Sequence, residues 1–341
     1  MIHQHRILFL FVAVLLATTS CSRESLGGKK AFIVNGGDNS VDVFDLKKLR
    51  FTKTRYLKTD SGFFAHHINL SPGRKYLSIA LPRYDFSSGH EGLHLIDTPG
   101  KILVLKARNL KTLKQINVPK ANYNAVFNRE ENELWTAGYS HSGRVYVYEF
   151  PSGKLKREIT VGPDPSEITV CYDGKYAAIA CGESSFVTFI DLNTKTKVKD
   201  VKVDPYPSNV WIGFGSKIFV ENKIKKSLNL LDIDKLKAVE FIDFDFTPGI
   251  SVYNPKSKEI WTTSHSSPNL HIYKSESNGK WTKQFTLDLE TNVYTFSFYD
   301  NYSKALCLSR EDSQILIIDT LTRKVIGTFK AGSKPNGLVL L

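Results

Sequence analysis

Residues 165–203 read PSEITVCYDGKYAAIACGESSFVTFIDLNTKTKVKDVKV. Four apolar runs stand out: EITVCY, YAAIAC, FVTFID and VKDVKV. Each is short and rich in β-branched or aromatic side chains, which suit a pleated, buried surface. Turn chemistry separates them, at Asp173-Gly174, at Gly182-Glu183-Ser184-Ser185 and at Asn193-Thr194-Lys195. Asp-Gly between two apolar runs predicts a hairpin, because the tight turn needs positive φ. The stretch is therefore expected to be a four-stranded antiparallel meander. A two-residue turn at Asp173-Gly174 should set Cys171 opposite Tyr176 and Cys181 opposite Ser166, which keeps the two thiols out of disulfide reach. With Cys307 they read as small buried core residues.

The unit recurs along the chain. Its third strand ends in a polar residue and a turn at Asp45, Asn109, Glu149, Asp191, Asp232, Lys274 and Asp319. The gaps between these anchors are 64, 40, 42, 41, 42 and 45 residues. A period in the low forties with four strands per unit is the mark of a propeller blade. The expected fold is all-β, a seven-bladed β-propeller over residues 31–341. The surplus in the first gap falls near Pro82 to Lys101, between the second and third strands of blade 2. First strands also number seven, from HHINLS at His66 to NGLVLL at Asn336. The chain enters its first blade at the second strand, AFIVN, so the C-terminal strand should complete that blade and close the ring. Closure is needed because an open blade leaves apolar faces and strand edges bare.

The N-terminus sets the address. His3, His5 and Arg6 precede an apolar run from Ile7 to Ala17, too short to span a bilayer but right for a signal-peptide core. Thr18-Thr19-Ser20 and then Cys21 resemble the lipobox of bacterial lipoproteins, with Thr18 in place of the usual Leu. That resemblance implies cleavage after residue 20 and acylation of Cys21. The alternative is a plain secretory signal, and both export the chain. Residues 21–30 would then tether the body to the bacterial cell envelope. Ser22 resembles the outer-membrane sorting signal. The chain is strongly basic, with a formal charge of +12. Its lysines are scattered through turns and strand edges, a guard against sheet aggregation. Export removes nucleic acid as a partner. The expected partners are the membrane through Cys21 and a protein or anionic envelope polymer.

The repeats resemble those of the YVTN-type seven-bladed propellers. Phe32-Ile33-Val34-Asn35 stands where that family has Tyr-Val-Thr-Asn. Val161-Gly162-Pro163-Asp164-Pro165 and Gly332-Ser333-Lys334-Pro335-Asn336-Gly337 are similar to its Val-Gly-x-x-Pro-x-Gly turn. Phe189-Ile190-Asp191 and Ile317-Ile318-Asp319 match its Val-Ile-Asp. The family includes binding proteins and propellers fused to enzymes, so the resemblance implies the fold more than an activity. Blades 2 and 6 depart most, with Asn109 and Lys274 at the Asp position.

Candidate chemistry gathers on one face. In a propeller, loops joining second and third strands share a face with loops between blades. His90, His94, His141 and His265 fall in the first kind, and His66 and His67 open a first strand. Converging imidazoles can bind a transition metal, with His66, His90, His94, His141 and His265 as candidates. The family resemblance implies a precedent, since some propeller oxidoreductases hold copper there. Tyr139, Glu183, Lys223 and Arg310 join them as binding-face candidates, with Asp164 in a blade-joining loop. His90-Glu91-Gly92-Leu93-His94 spells H-E-x-x-H, but zinc-protease chemistry needs it on a helix. Gly89, Gly92 and Pro99-Gly100 work against one. No catalytic set is complete in the sequence. The expected function is recognition of a protein or envelope polymer through the loop face, without a cofactor. The alternative is an enzyme at the central mouth, a metal-dependent oxidoreductase or a lactonase-like hydrolase.

Overall fold

The computed structural model of the chain describes residues 29–86 and 97–341. The signal segment, Cys21 and the H-E-x-x-H string with His90 and His94 lie outside the described residues. Seven four-stranded antiparallel sheets form the body. Blade 1 joins β1 (Lys30–Asn35), β2 (Ser40–Asp45) and β3 (Arg50–Tyr56) to the last strand, β28 (Pro335–Leu340). The other blades run outward from the axis in chain order. Blade 2 spans β4 (Ile68–Leu70) to β7 (Thr112–Val118), and blade 3 spans β8 (Val126–Phe127) to β11 (Leu155–Thr160). Blade 4 spans β12 (Pro165–Val170) to β15 (Thr196–Lys202), and blade 5 spans β16 (Pro207–Ile212) to β19 (Lys237–Asp243). Blade 6 spans β20 (Pro248–Asn254) to β23 (Trp281–Asp288), and blade 7 spans β24 (Val293–Tyr299) to β27 (Lys324–Lys330). Each innermost strand touches the innermost strands on both sides, and β28 touches β4, so the ring is closed. No helix among the described residues is long and apolar enough to cross a membrane.

Packing explains why the middle strands read as nearly continuous apolar runs. Strand side chains alternate between faces, and both faces of a blade are covered. In β1, Ala31 and Ile33 enter the apolar cluster shared with blade 7, while Phe32 and Val34 enter the one shared with blade 2. Every pair of adjacent blades has such a cluster. Outer strands are mostly exposed, and Lys197, Lys199 and Lys202 of β15 point to solvent as edge guards. Asp45, Asp191, Asp232 and Asp319 recur for a local reason. Each Oδ1 accepts backbone N–H groups two and three residues ahead, capping the turn into the fourth strand.

Two sequence expectations need correction. The blade-2 counterpart of Asp45 is Lys106, which pairs with Tyr76 as Asp45 pairs with Lys30. Asn109 lies three residues on, inside a longer turn where Leu110 takes positive φ. Cys171 does bond to Tyr176, but Cys181 faces Pro165 instead of Ser166. A bulge between Pro165 and Ile168 shifts the register there. Cys171, Cys181 and Cys307 are buried free thiols.

The closing strand is held by more than its ladder. Ala31 pairs with Leu340 and Val34 with Gly337. Gly36 and Gly37 donate to the carbonyls of Lys334 and Ser333, each at 2.9 Å. Asn336 Nδ2 donates to the Ala65 carbonyl at 3.1 Å, and its Oδ1 accepts from Arg310 Nε at 2.8 Å. A Cβ on Gly36 would stand 2.2 Å from Asn336 Nδ2 and 2.8 Å from the Ala65 oxygen. Gly36→Ala is therefore expected to destabilise the protein by about 1–3 kcal/mol. Urea unfolding checks this against Leu321→Ala, whose side chain is 90% exposed and whose loss should leave the midpoint unchanged.

Candidate functional site

The innermost strands begin at one end of the axis, and most of them bulge where they begin. Register shifts fall between Pro165 and Ile168, Pro207 and Asn209, Pro248 and Ser251, and Val293 and Thr295. A bulge re-aims side chains and is common beside functional sites. Here the bulged segments carry Glu167, Ser208, Ile250 and Tyr294. Ile250 and Tyr294 line a cavity of about 180 Å³, with His67, Trp211, Lys223, His265 and Arg310. Its wall is partly aromatic, with Phe86 and Tyr123 stacked at 4.4 Å between ring centres.

Two acids lie beneath this mouth. Glu167 on β12 and Glu221 on β17 (Lys217–Asn222) are both withdrawn from solvent. Glu221 Oε2 accepts from Asn209 Nδ2 at 2.9 Å and from Trp211 Nε1 at 3.1 Å, and its Oε1 accepts from the Ser251 amide at 2.7 Å. These donors favour the carboxylate, but burial opposes it more strongly, and the group is pushed up to about 7. Burial, reinforced by the charge of Glu221, raises Glu167 well above the usual carboxyl range. Its Oε1 accepts from Asn124 Nδ2 at 2.6 Å, and its Oε2 stands 3.7 Å from His67 Nδ1. Burial holds His67 well below the ordinary imidazole range, with the charge of His66 adding to it. Burial thus favours the uncharged form of both members of the pair. Lys223 is depressed by burial too, partly offset by Glu221. Among the described residues no carboxylate lies within ion-pairing distance of Lys223.

Of the residues singled out from the sequence, His67, Lys223, His265 and Arg310 meet at the mouth. Burial, with the charge of Lys223, lowers His265 to about 4. Arg310 pairs with Asp85 and Glu311 and so serves as a latch between blades 7 and 2. His66 is buried behind the mouth, with Nδ1 3.1 Å from the Tyr123 carbonyl oxygen and its ring edge-on to His67. Tyr139 packs beside Phe86 and Tyr123. His141 and Glu183 are not among the residues lining the cavity and stand beside Asp164. Sequence reasoning missed Glu167, Glu221, Asn209 and Trp211. Glu221 does follow the apolar run Ile218-Phe219-Val220, but Glu167 stands between Ser166 and Ile168 with no comparable signal.

No family model and no curated protein matches the chain. Solved structures do resemble it. A hydrazine synthase chain from Kuenenia stuttgartiensis is 20% identical with a TM-score of 0.66, over 83% of this chain and 91% of that one. The periplasmic gluconolactonase of Pseudomonas aeruginosa is 13% identical with a TM-score of 0.70, over 92% and 98%. A putative 6-phosphogluconolactonase from Bacteroides fragilis is 14% identical with a TM-score of 0.73, over 93% and 99%. At such identities the likeness is one of fold.

Glu221 has a measurable signature. Between pH about 4.5 and about 7, the folded chain holds a proton on Glu221 that the unfolded chain has released. Stability must therefore fall as pH rises through that window. Relative to Glu221→Gln, which cannot titrate, the native chain should lose about 3 kcal/mol between pH 4 and pH 8. Denaturant unfolding of both proteins at a series of pH values checks the slope.

Proposed function

We propose that the chain binds a small, oxygen-rich molecule at its central mouth and hydrolyses a lactone-type ester there. One observation carries this reading: His67, backed by Glu167, shares a cavity of about 180 Å³ with the ammonium of Lys223. The cavity is smaller than the roughly 300–1,000 Å³ of drug-sized sites. That size suits a single sugar-like ring better than a folded partner's surface. Aromatic walls suit the apolar faces of such a ring, and Lys223 and Asn209 suit its oxygens. The fold shared with a gluconolactonase and a putative 6-phosphogluconolactonase supports the choice of ester.

In this reading Lys223 draws the carbonyl oxygen and stabilises the negative charge that develops when water adds. His67 gives a proton to the departing ring oxygen and takes its replacement from Glu167. The proton of the attacking water restores Glu167 as the hydroxy acid leaves. Glu221 acts through others, holding Asn209 and Trp211 in place. Lactone opening followed in a pH-stat, with the spontaneous rate subtracted, tests this. Glu167→Gln and His67→Ala should each lower kcat/KM by about 10²–10⁴-fold. Lys223→Ala should lower it by about 10²-fold. A native chain that opens no sugar lactone faster than buffer would sink the reading.

The address belongs to the same proposal: export, acylation of Cys21, a place at the bacterial outer membrane, and membership of the YVTN-type propellers. Metabolic labelling with a palmitate analogue should mark the native chain and leave Cys21→Ala unmarked.

A further inference from the structure

Outside the lining of that cavity, side chains from three successive connections converge. His141 lies in the turn between β9 (Glu133–Gly138) and β10 (Arg144–Glu149). Asp164 lies in the link from blade 3 to blade 4. Glu183 lies in the turn between β13 (Tyr176–Cys181) and β14 (Phe186–Asp191). His141 Nδ1 is 3.0 Å from Glu183 Oε2 and 3.4 Å from Asp164 Oδ2. One ligand atom from each residue falls within 4.8 Å of the others. We propose that His141, Asp164 and Glu183 form a binding site for a divalent first-row metal ion.

Geometry supports the proposal first. Nitrogen and oxygen ligands at about 2.0–2.2 Å from one ion stand about 3.0–3.5 Å apart at right or tetrahedral angles. Both separations from the His141 nitrogen lie in that interval. The donor set comes next. One imidazole with two carboxylates is an N,O,O set of the kind that takes zinc, manganese or iron(II), and three ligands leave positions open for water. His141 and Glu183 are 56% and 42% exposed, so the open side faces solvent, while Asp164 is buried at the base.

Charge favours an ion as well. Two carboxylates share a single imidazole nitrogen, which can offer them one proton, and a dication neutralises both. The backbone prepares the arrangement before any ligand arrives. Asp164 takes a left-handed φ of 47°. Its amide donates to the Ser140 carbonyl at 2.9 Å, and its carbonyl accepts from Gly182 N at 2.9 Å. The two loops that carry His141 and Glu183 therefore hang on the peptide groups of Asp164. This site is independent of the ester chemistry proposed for the mouth and stands or falls separately from it.

The test uses the full chain, stripped with a chelator and titrated with Zn(II) and Mn(II) by calorimetry. Native protein should bind about one ion, with a rise in Tm on loading. His141→Ala and Glu183→Gln, both solvent-facing, should keep the fold by circular dichroism and weaken binding more than about tenfold. Their double variant should show no metal-dependent rise in Tm. His265→Ala and the His90→Ala/His94→Ala pair should bind as the native chain does. The proposal is overturned if the native chain takes up no ion. It is equally overturned if binding survives the double variant, or if only the His90/His94 pair abolishes it.

Discussion

The structure depends on one constraint: a blade has two apolar faces and cannot hide either alone. Each of the seven clusters between blades is built from alternate residues of two neighbours. Removing one neighbour would strip a whole face. The pairing of β28 with β1 turns a row of such interfaces into a ring with no end blade. Arg310 and Asn336 add a polar tie at the same seam, reaching from blade 7 across β28 to Ala65 and Asp85.

The same ring accounts for the chemistry at its axis. Innermost strands meet around the axis, where buried side chains are removed from solvent and their ionised forms are disfavoured. Glu167 and Glu221 hold protons more tightly there, and His66, His67 and His265 hold them less tightly. Acids and bases are thereby driven toward uncharged forms within one small volume. That is the condition in which a carboxyl can still give a proton near neutral pH and an imbalance of charge can be met by a single lysine.

The fold was legible because its signals are local and repeated. Turn glycines, capping aspartates and apolar runs each act within a few residues, and seven copies make the period plain. The blade-2 anchor was misplaced by three residues because Asn109 imitates the capping aspartate inside a longer turn. The site was only partly legible. Loop histidines advertise themselves, and His67 and His265 do reach the mouth. His66 is adjacent in sequence yet turns inward, and Glu167 reaches the axis from within a bulge. Such directions follow from register shifts between strands, which alternation along one strand does not encode. The pairing of His141 with Asp164 and Glu183 was hidden for a related reason, since it joins three connections through backbone bonds.

The seam between β1 and β28 also orders events in time. Ser333 donates its amide to Asp38 across 295 positions of chain, and Gly332 reaches Asp42 in the same way. A polypeptide made from its amino end must leave β1 with a naked edge until nearly everything else has emerged. Loop-closure entropy falls on that final step, which makes assembly slow and the waiting edge sticky. A nascent chain of this design needs shelter from its own kind, and the lysines on its outermost strands supply part of it by mutual repulsion.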